Sequence, residues 1–276
     1  MDSRQSIARQ IESRLSTIGI KTLNEQYFNS GKINHIVVDQ LLPGPLAHRL
    51  SNFFPPETQL KLLDGREEKK YVGVNFSSDQ KIIEECIYAF QEPAILKIFA
   101  SICQIDDLEG DPELYAGGVS SMGHSCFLNP HIDNSHDRLR QRYRRLNLLY
   151  YVSKGWQPDH GGQLVLYPNG IQAECVEIDS LFNRLVVMKT DHQSLHGVKR
   201  ITSAGDHRKT ISNYYFSPST PLGKHYYHST SFRGFPGERK KDILLRTNAL
   251  LRTTIKSLTG NLFGTLINTG YHRKNK

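Results

Sequence analysis

His131-Ile-Asp133 is the one His-x-Asp/Glu triplet in the 276-residue chain. On a strand, residues two apart point to the same face, so an imidazole nitrogen and a carboxylate oxygen could grip one divalent ion. Alone the triplet carries little weight, because 12 His and 27 acidic residues produce about one such match by chance. It gains weight from His196, which follows an apolar run, Leu185–Met188, and offers a third ligand. Two imidazoles and a carboxylate on one side of an ion leave its remaining positions open to exchangeable ligands. Arg208 then opens the run Arg-Lys-Thr-Ile-Ser-Asn-Tyr-Tyr-Phe216. A guanidinium inside a barrel is costly unless it meets an anion, and a carboxylate-bearing small molecule would supply one through paired hydrogen bonds. Ser212 shares the face of Arg208 on that strand.

Other residues compete for these roles. His192 lies four positions before His196 in a loop-like setting, Thr190-Asp-His-Gln-Ser194, and is the alternative third ligand. His124, His136, His160 and His207 sit in polar turns and read as surface residues, with His136 near enough to the triplet to touch substrate. The basic run from Arg138 to Arg145 reads as a solvated loop and strand edge, or as a cationic rim that draws in acidic molecules.

Placing these groups requires a scaffold, and its texture changes along the chain. Residues 1–112 read as mainly helical support. Ile7, Ile11, Leu15 and Ile18 recur at helical spacing within Ser6–Ile18, Asp79 is a candidate N-cap for a helix over Lys81–Phe90, and a further helix covers Ala94–Ile102 after Glu92-Pro93. Residues 113–217 break into short β-rich runs, Ser125–Phe127, Leu146–Val152, Gln163–Tyr167, Cys175–Ile178, Leu185–Met188 and Thr210–Phe216. Asn129-Pro130, Gly161-Gly162, Pro168-Asn169-Gly170 and Gly205-Asp206 read as turns between them. Many short strands at close spacing indicate a barrel or jelly roll. Residues 218–276 form a basic extension with a helical reading over Asp242–Leu258 and a Gly-containing, basic end that reads as mobile. The class is α+β in a single domain, with a jelly-roll core, N-terminal supporting helices and a helical C-terminal segment.

From Ala116 to Ser217 the chain resembles the 2-oxoglutarate/iron(II)-dependent oxygenases, in particular their prolyl 4-hydroxylase-like branch. The resemblance rests on His131-Ile-Asp133, Leu148-Leu-Tyr-Tyr-Val152, Gly161-Gly-Gln-Leu-Val-Leu-Tyr-Pro168, Asn183-Arg-Leu-Val-Val-Met188, His196-Gly-Val198 and Arg208 with Tyr214-Tyr-Phe216. It implies a double-stranded β-helix, iron(II) held by His131, Asp133 and His196, and Arg208 paired with the distal carboxylate of 2-oxoglutarate. Tyr151 matches a tyrosine that contacts that carboxylate in several members, and Ser212 a further hydroxyl contact. The resemblance also implies O2 as co-substrate, a stimulatory role for ascorbate, and hydroxylation with release of succinate. Desaturation or epoxidation would use the same ligands. Asp133 stands where halogenating relatives carry a small residue, which favours hydroxylation over chlorination. A tyrosine expected upstream of the first His is replaced here by Ser121.

Composition sets outer bounds. No run of about 18 apolar residues marks a membrane span, and the N-terminus has no signal-peptide pattern. The four cysteines, Cys86, Cys103, Cys126 and Cys175, fit neither a zinc site nor a disulfide framework and suggest a reducing cytoplasm. Of the net charge of +8, residues 223–276 carry eleven Lys/Arg against Glu238 and Asp242, which places +9 there and −1 on the remainder. No aromatic-interleaved nucleic-acid motif accompanies that charge, so no nucleic-acid partner is expected. The expected substrate is a small metabolite or a glycan or lipid precursor, and the basic extension suits an acidic one. Hydroxylation of prolyl or other protein residues, a non-catalytic jelly-roll binder and a nucleic-acid demethylase are the alternatives.

Overall fold

The computed structural model describes residues 3–248. Helices α1 (Arg4–Ile18) and α2 (Ile20–Asn29) lead into strand β1 (His35–Val38) and α3 (Gly44–Asn52). The hairpin β2 (Lys61–Asp64) and β3 (Glu68–Gly73) precedes α4 (Lys81–Ala89) and α5 (Pro93–Cys103). Then come β4 (Gly118–Met122), β5 (Phe127–Ile132), β6 (Tyr143–Tyr151), β7 (Leu164–Leu166), β8 (Val176–Ile178), β9 (Arg184–Lys189), β10 (His196–Val198), β11 (Arg208–Ser217) and β12 (Ser231–Phe232). Residues 239–248 are helical.

All strand pairs are antiparallel, in the order β1-β9-β6-β11-β4-β3-β5-β10-β7-β8, with β12 on β5 and β2 on β3. Strand β3 pairs with both β4 and β5 and so carries the curled sheet from one layer to the other. The architecture is the expected α+β jelly roll.

Alternation decides which side each layer shows. Leu146, Leu148, Tyr150, Leu185, Val187, Ile211 and Tyr215 join Ile7, Ile11, Leu15, Ile83, Ile87 and Phe99 in one buried cluster, so this face of the larger layer packs on the helices. The intervening Tyr151, Val186 and Met188 pack with Leu164, Leu166 and Ile178 of the smaller layer, inside the roll. The long apolar stretches of β6 and β9 therefore serve two cores.

Several elements depart from the sequence reading. Strands β1 to β3 extend the sheet into the segment read as mainly helical; β1 is a buried run of only four residues, and the polar, exposed or half-buried composition of β2 and β3 hides the alternation. Asp79 is not the cap before α4. Ser77 and Gln80 form a reciprocal capping box around a short 3-10 turn there. Asn129-Pro130 is not a turn between strands but part of β5. Proline has no N–H to give the ladder, and the β5–β10 register slips beside it, between the partners of His196 and Val198. Gly197 faces this irregularity, where a Cβ would come within 2.9 Å of the Leu128 oxygen and the Pro130 nitrogen. Most of the helical reading over Asp242–Leu258, and the basic end beyond it, lie outside the described residues.

No single helix among the described residues is long and apolar enough to cross a membrane. The four cysteines are free thiols.

Candidate metal and co-substrate site

His131 ends the β5 ladder and His196 begins β10, and the two are register partners. Their rings lie 4.3 Å apart between centroids. Each ring is held from behind: His131 Nδ1 donates to the Asn129 carbonyl and His196 Nδ1 to the Ser194 carbonyl, both at 2.9 Å. Because a carbonyl only accepts, Nδ1 carries the proton and the lone pair is left on Nε2. Both Nε2 atoms approach Asp133, His131 at 3.5 Å from Oδ1 and His196 at 3.8 Å from Oδ2. One ligand atom from each of the three buried residues lies within 4.8 Å of the others.

The chemistry of this set fits iron(II). Asp133 Oδ2 is buried with no hydrogen-bond partner among the described residues, a state that a bound cation would relieve. Burial raises the cost of its charge, yet the Arg144 guanidinium, 3.4 Å away, holds the carboxyl well below the usual carboxylate range. For His196, burial first and His131 second lower the imidazole to about 4, which keeps it neutral and able to bind metal. His192, the rival ligand, is exposed in the turn before β10.

Arg208 is 2% exposed at the start of β11. Its Nε donates to Ser180 Oγ at 2.8 Å, Nη1 to Thr210 Oγ1 at 3.0 Å and Nη2 to Tyr151 Oη at 3.2 Å. These partners are neutral, so the buried guanidinium has no counter-charge among them, and burial lowers its pKa. Tyr151 is fully buried. Ser212 donates to the Gly118 carbonyl at 3.4 Å and borders the same cavity of about 570 Å³ as His131, Asp133, His196 and Arg208. Ser121 does not: it points to Glu57 and His207, whereas Val119, Ser120 and Met122 of β4 border the cavity.

Two wall residues escaped the sequence reading. Phe232, on the two-residue strand β12, pairs with His131 and stacks on its ring at 5.2 Å between centroids. Nothing in a basic extension announces this contact. Arg144 lies in the basic run read as a loop and rim, but it is 2% exposed and borders the cavity. The β6–β11 register explains it. Inward positions of β6 run Tyr151, Leu149, Asn147, and strict alternation would put Arg145 next. Phe216 pairs instead with Arg144, so one extra residue of β6 is accommodated there and the alternation is shifted by one. His136 is a further correction, since it is 1% exposed rather than at the surface.

Residues 117–216 match the 2OG-Fe(II) oxygenase superfamily. The match spans just over a third of the chain and takes in the triad and Arg208. The chain is a 2-oxoglutarate-dependent dioxygenase that uses iron(II), 2-oxoglutarate and O2. The fold is similar to that of a prolyl hydroxylase from Trichoplax adhaerens solved with a hypoxia-inducible-factor peptide, at 20% identity and TM-score 0.51, over 76% of this chain and 92% of that one. It is similar also to a Pseudomonas putida prolyl-4-hydroxylase, at 16% and 0.52, over 71% and 98%. A prolyl 4-hydroxylase from Phytophthora capsici aligns at 16% and 0.55, over 91% and 77%. No curated protein matches the sequence.

Proposed function

We propose that His131, Asp133 and His196 are the protein ligands of the iron, that Arg208 with Tyr151 and Ser212 seats the distal carboxylate of 2-oxoglutarate, and that the enzyme hydroxylates an unactivated C–H bond of a small metabolite or a glycan or lipid precursor. The observation that carries the reading is the pair of Nε2 atoms converging on the buried Asp133 carboxylate, one at each oxygen, with a buried arginine that lacks a counter-charge in the same cavity. When bound, iron and 2-oxoglutarate supply the oxidation, in which O2 is divided between substrate and 2-oxo acid and succinate and CO2 leave. The protein's part is placement. The Asn129 and Ser194 carbonyls fix the imidazole tautomers, Arg208 fixes the far end of the co-substrate, and Phe232 closes one side of His131 against water.

The size and partial enclosure of the cavity support a small substrate. Hydroxylation of a residue in a protein is the second reading, favoured by the fold's likeness to a prolyl hydroxylase that takes a peptide. We read the chain as a single domain, because one buried cluster runs from α1 to β11, and its free cysteines support a reducing cytoplasm. The test is iron-dependent conversion of 2-oxoglutarate to succinate, followed by a screen of metabolite pools and peptides for a product one oxygen atom heavier. Absence of succinate from iron-loaded protein would refute the assignment.

A further inference from the structure

Beside the metal and co-substrate positions, the cavity wall holds buried polar atoms that nothing among the described residues satisfies. Arg144 touches Asp133 through Nη1, but its Nε and Nη2 make no hydrogen bond. Asn147 Oδ1, on the same face of β6, is likewise without a partner. The guanidinium is stacked 4.0 Å above the Tyr214 ring, which fixes its plane and leaves its donors pointing along the wall. Donors buried in this way are expensive unless a ligand completes them.

Charge favours one kind of ligand. Among the residues that line the cavity, Lys70 pairs with Glu68 at 2.9 Å, Asp133 offsets one arginine, and Arg144 and Arg208 are both cationic, which leaves one positive charge in excess. Iron(II) and the 2-oxoglutarate dianion cancel each other and do not change that balance. Asp111 also acts on Arg144, but it lies off the cavity wall and forms no ion pair with it. Across the cavity the C-terminal segment supplies Tyr227, Ser229 and Thr230, whose hydroxyls suit an oxygen-rich group.

We propose that Arg144 is a substrate-binding residue and that the substrate carries one anionic group, a carboxylate or a phosphate ester, held by its Nε and Nη2 beside Asn147. The inference rests on the functional reading above, because it places substrate in the same cavity.

The test is titration calorimetry on the full chain loaded with zinc(II) and 2-oxoglutarate, with glycolate and methyl phosphate as anionic probes and glycolamide as the neutral isostere of glycolate. At least one anion should bind about tenfold more tightly than glycolamide. The stronger of the two signals assigns carboxylate or phosphate. Arg144→Gln should abolish the preference, and Arg144→Lys should keep part of it, since the charge remains and the fork is lost. If Arg144→Gln does not fold or loses zinc, the lysine variant decides. Equal binding of anions and glycolamide by the loaded protein would overturn this inference alone. An anion preference unchanged by substitution would do the same and leave Arg144 as a positioning residue for Asp133. Failure of the protein to hold zinc and 2-oxoglutarate would instead refute the functional reading, and this one with it.

Discussion

His131 and His196 come from strands 65 positions apart in the chain, yet they are direct partners in the β5–β10 ladder, and each is locked by a carbonyl two residues before it. The symmetry of those backing bonds aims both Nε2 atoms at Asp133. His131→Ala, Asp133→Ala and His196→Ala should therefore each abolish iron-dependent succinate formation in folded protein, whereas the exposed His192→Ala should keep substantial turnover. The Asp133 variant should lose hydroxylation even where some iron is retained. Retained turnover in both the His131 and Asp133 variants would end the iron-enzyme reading; a dead His192 variant beside an active His196 variant would move the third ligand.

Arg208 meets only neutral groups, so a carboxylate entering beside it would gain its one charged partner there. Arg208→Ala should weaken 2-oxoglutarate binding by roughly 2–4 kcal/mol while leaving iron binding largely intact. Arg200→Ala is the control: that side chain bonds to the Ser125 carbonyl and stacks on Phe127, away from the cavity. A co-substrate affinity that falls with Arg200 and not with Arg208 would reassign the anchor.

The contrast between Arg208 and Arg144 shows what the sequence could reveal. Arg208 was legible because an arginine opening an apolar strand twelve residues after a candidate ligand has few inexpensive explanations. Arg144 was not, because inside Arg142-Tyr-Arg-Arg145 only the bulge decides which arginine turns inward. The helices α1, α4 and α5 and the long strands β6, β9 and β11 followed from apolar periodicity. Strands β1 and β12 are too short to show a period, β2 and β3 are polar and made by their partners, and Phe232 reaches His131 only through the fold.

Asn183 gives a stability prediction. It adopts a left-handed conformation at φ 62°, accepts from the Leu42 N–H and the Tyr150 hydroxyl and donates to the Leu42 carbonyl. One amide thereby ties the loop before α3 to the start of β9. Asn183→Ala leaves those buried groups unpaired and strains the backbone, and should cost about 2–4 kcal/mol in urea unfolding. A loss below about 0.5 kcal/mol, the usual range of surface substitutions, would show that water replaces the clamp.

The last prediction concerns acid stability and His136. Its ring is buried against Tyr143, with centroids 4.4 Å apart, and its Nδ1 lies 2.7 Å from Ser135 Oγ. Burial, and after it the neighbouring His225, lower its pKa to about 4. The unfolded chain keeps a value near 6.5 at this residue. Above that value neither state is protonated and the residue gives no pH dependence. Between about 6.5 and 4 the unfolded state takes up a proton that the folded state refuses, so stability falls with decreasing pH, by at most about 3 kcal/mol. Below about 4 both states are protonated and this contribution levels off. His196, with a similar value, adds a term of the same sign in metal-free protein. Urea unfolding of metal-free His136→Gln between pH 4.5 and 7.5 should therefore show a shallower pH slope than the parent. An unchanged slope would mean that the His136 ring reaches solvent or is already protonated in the folded state.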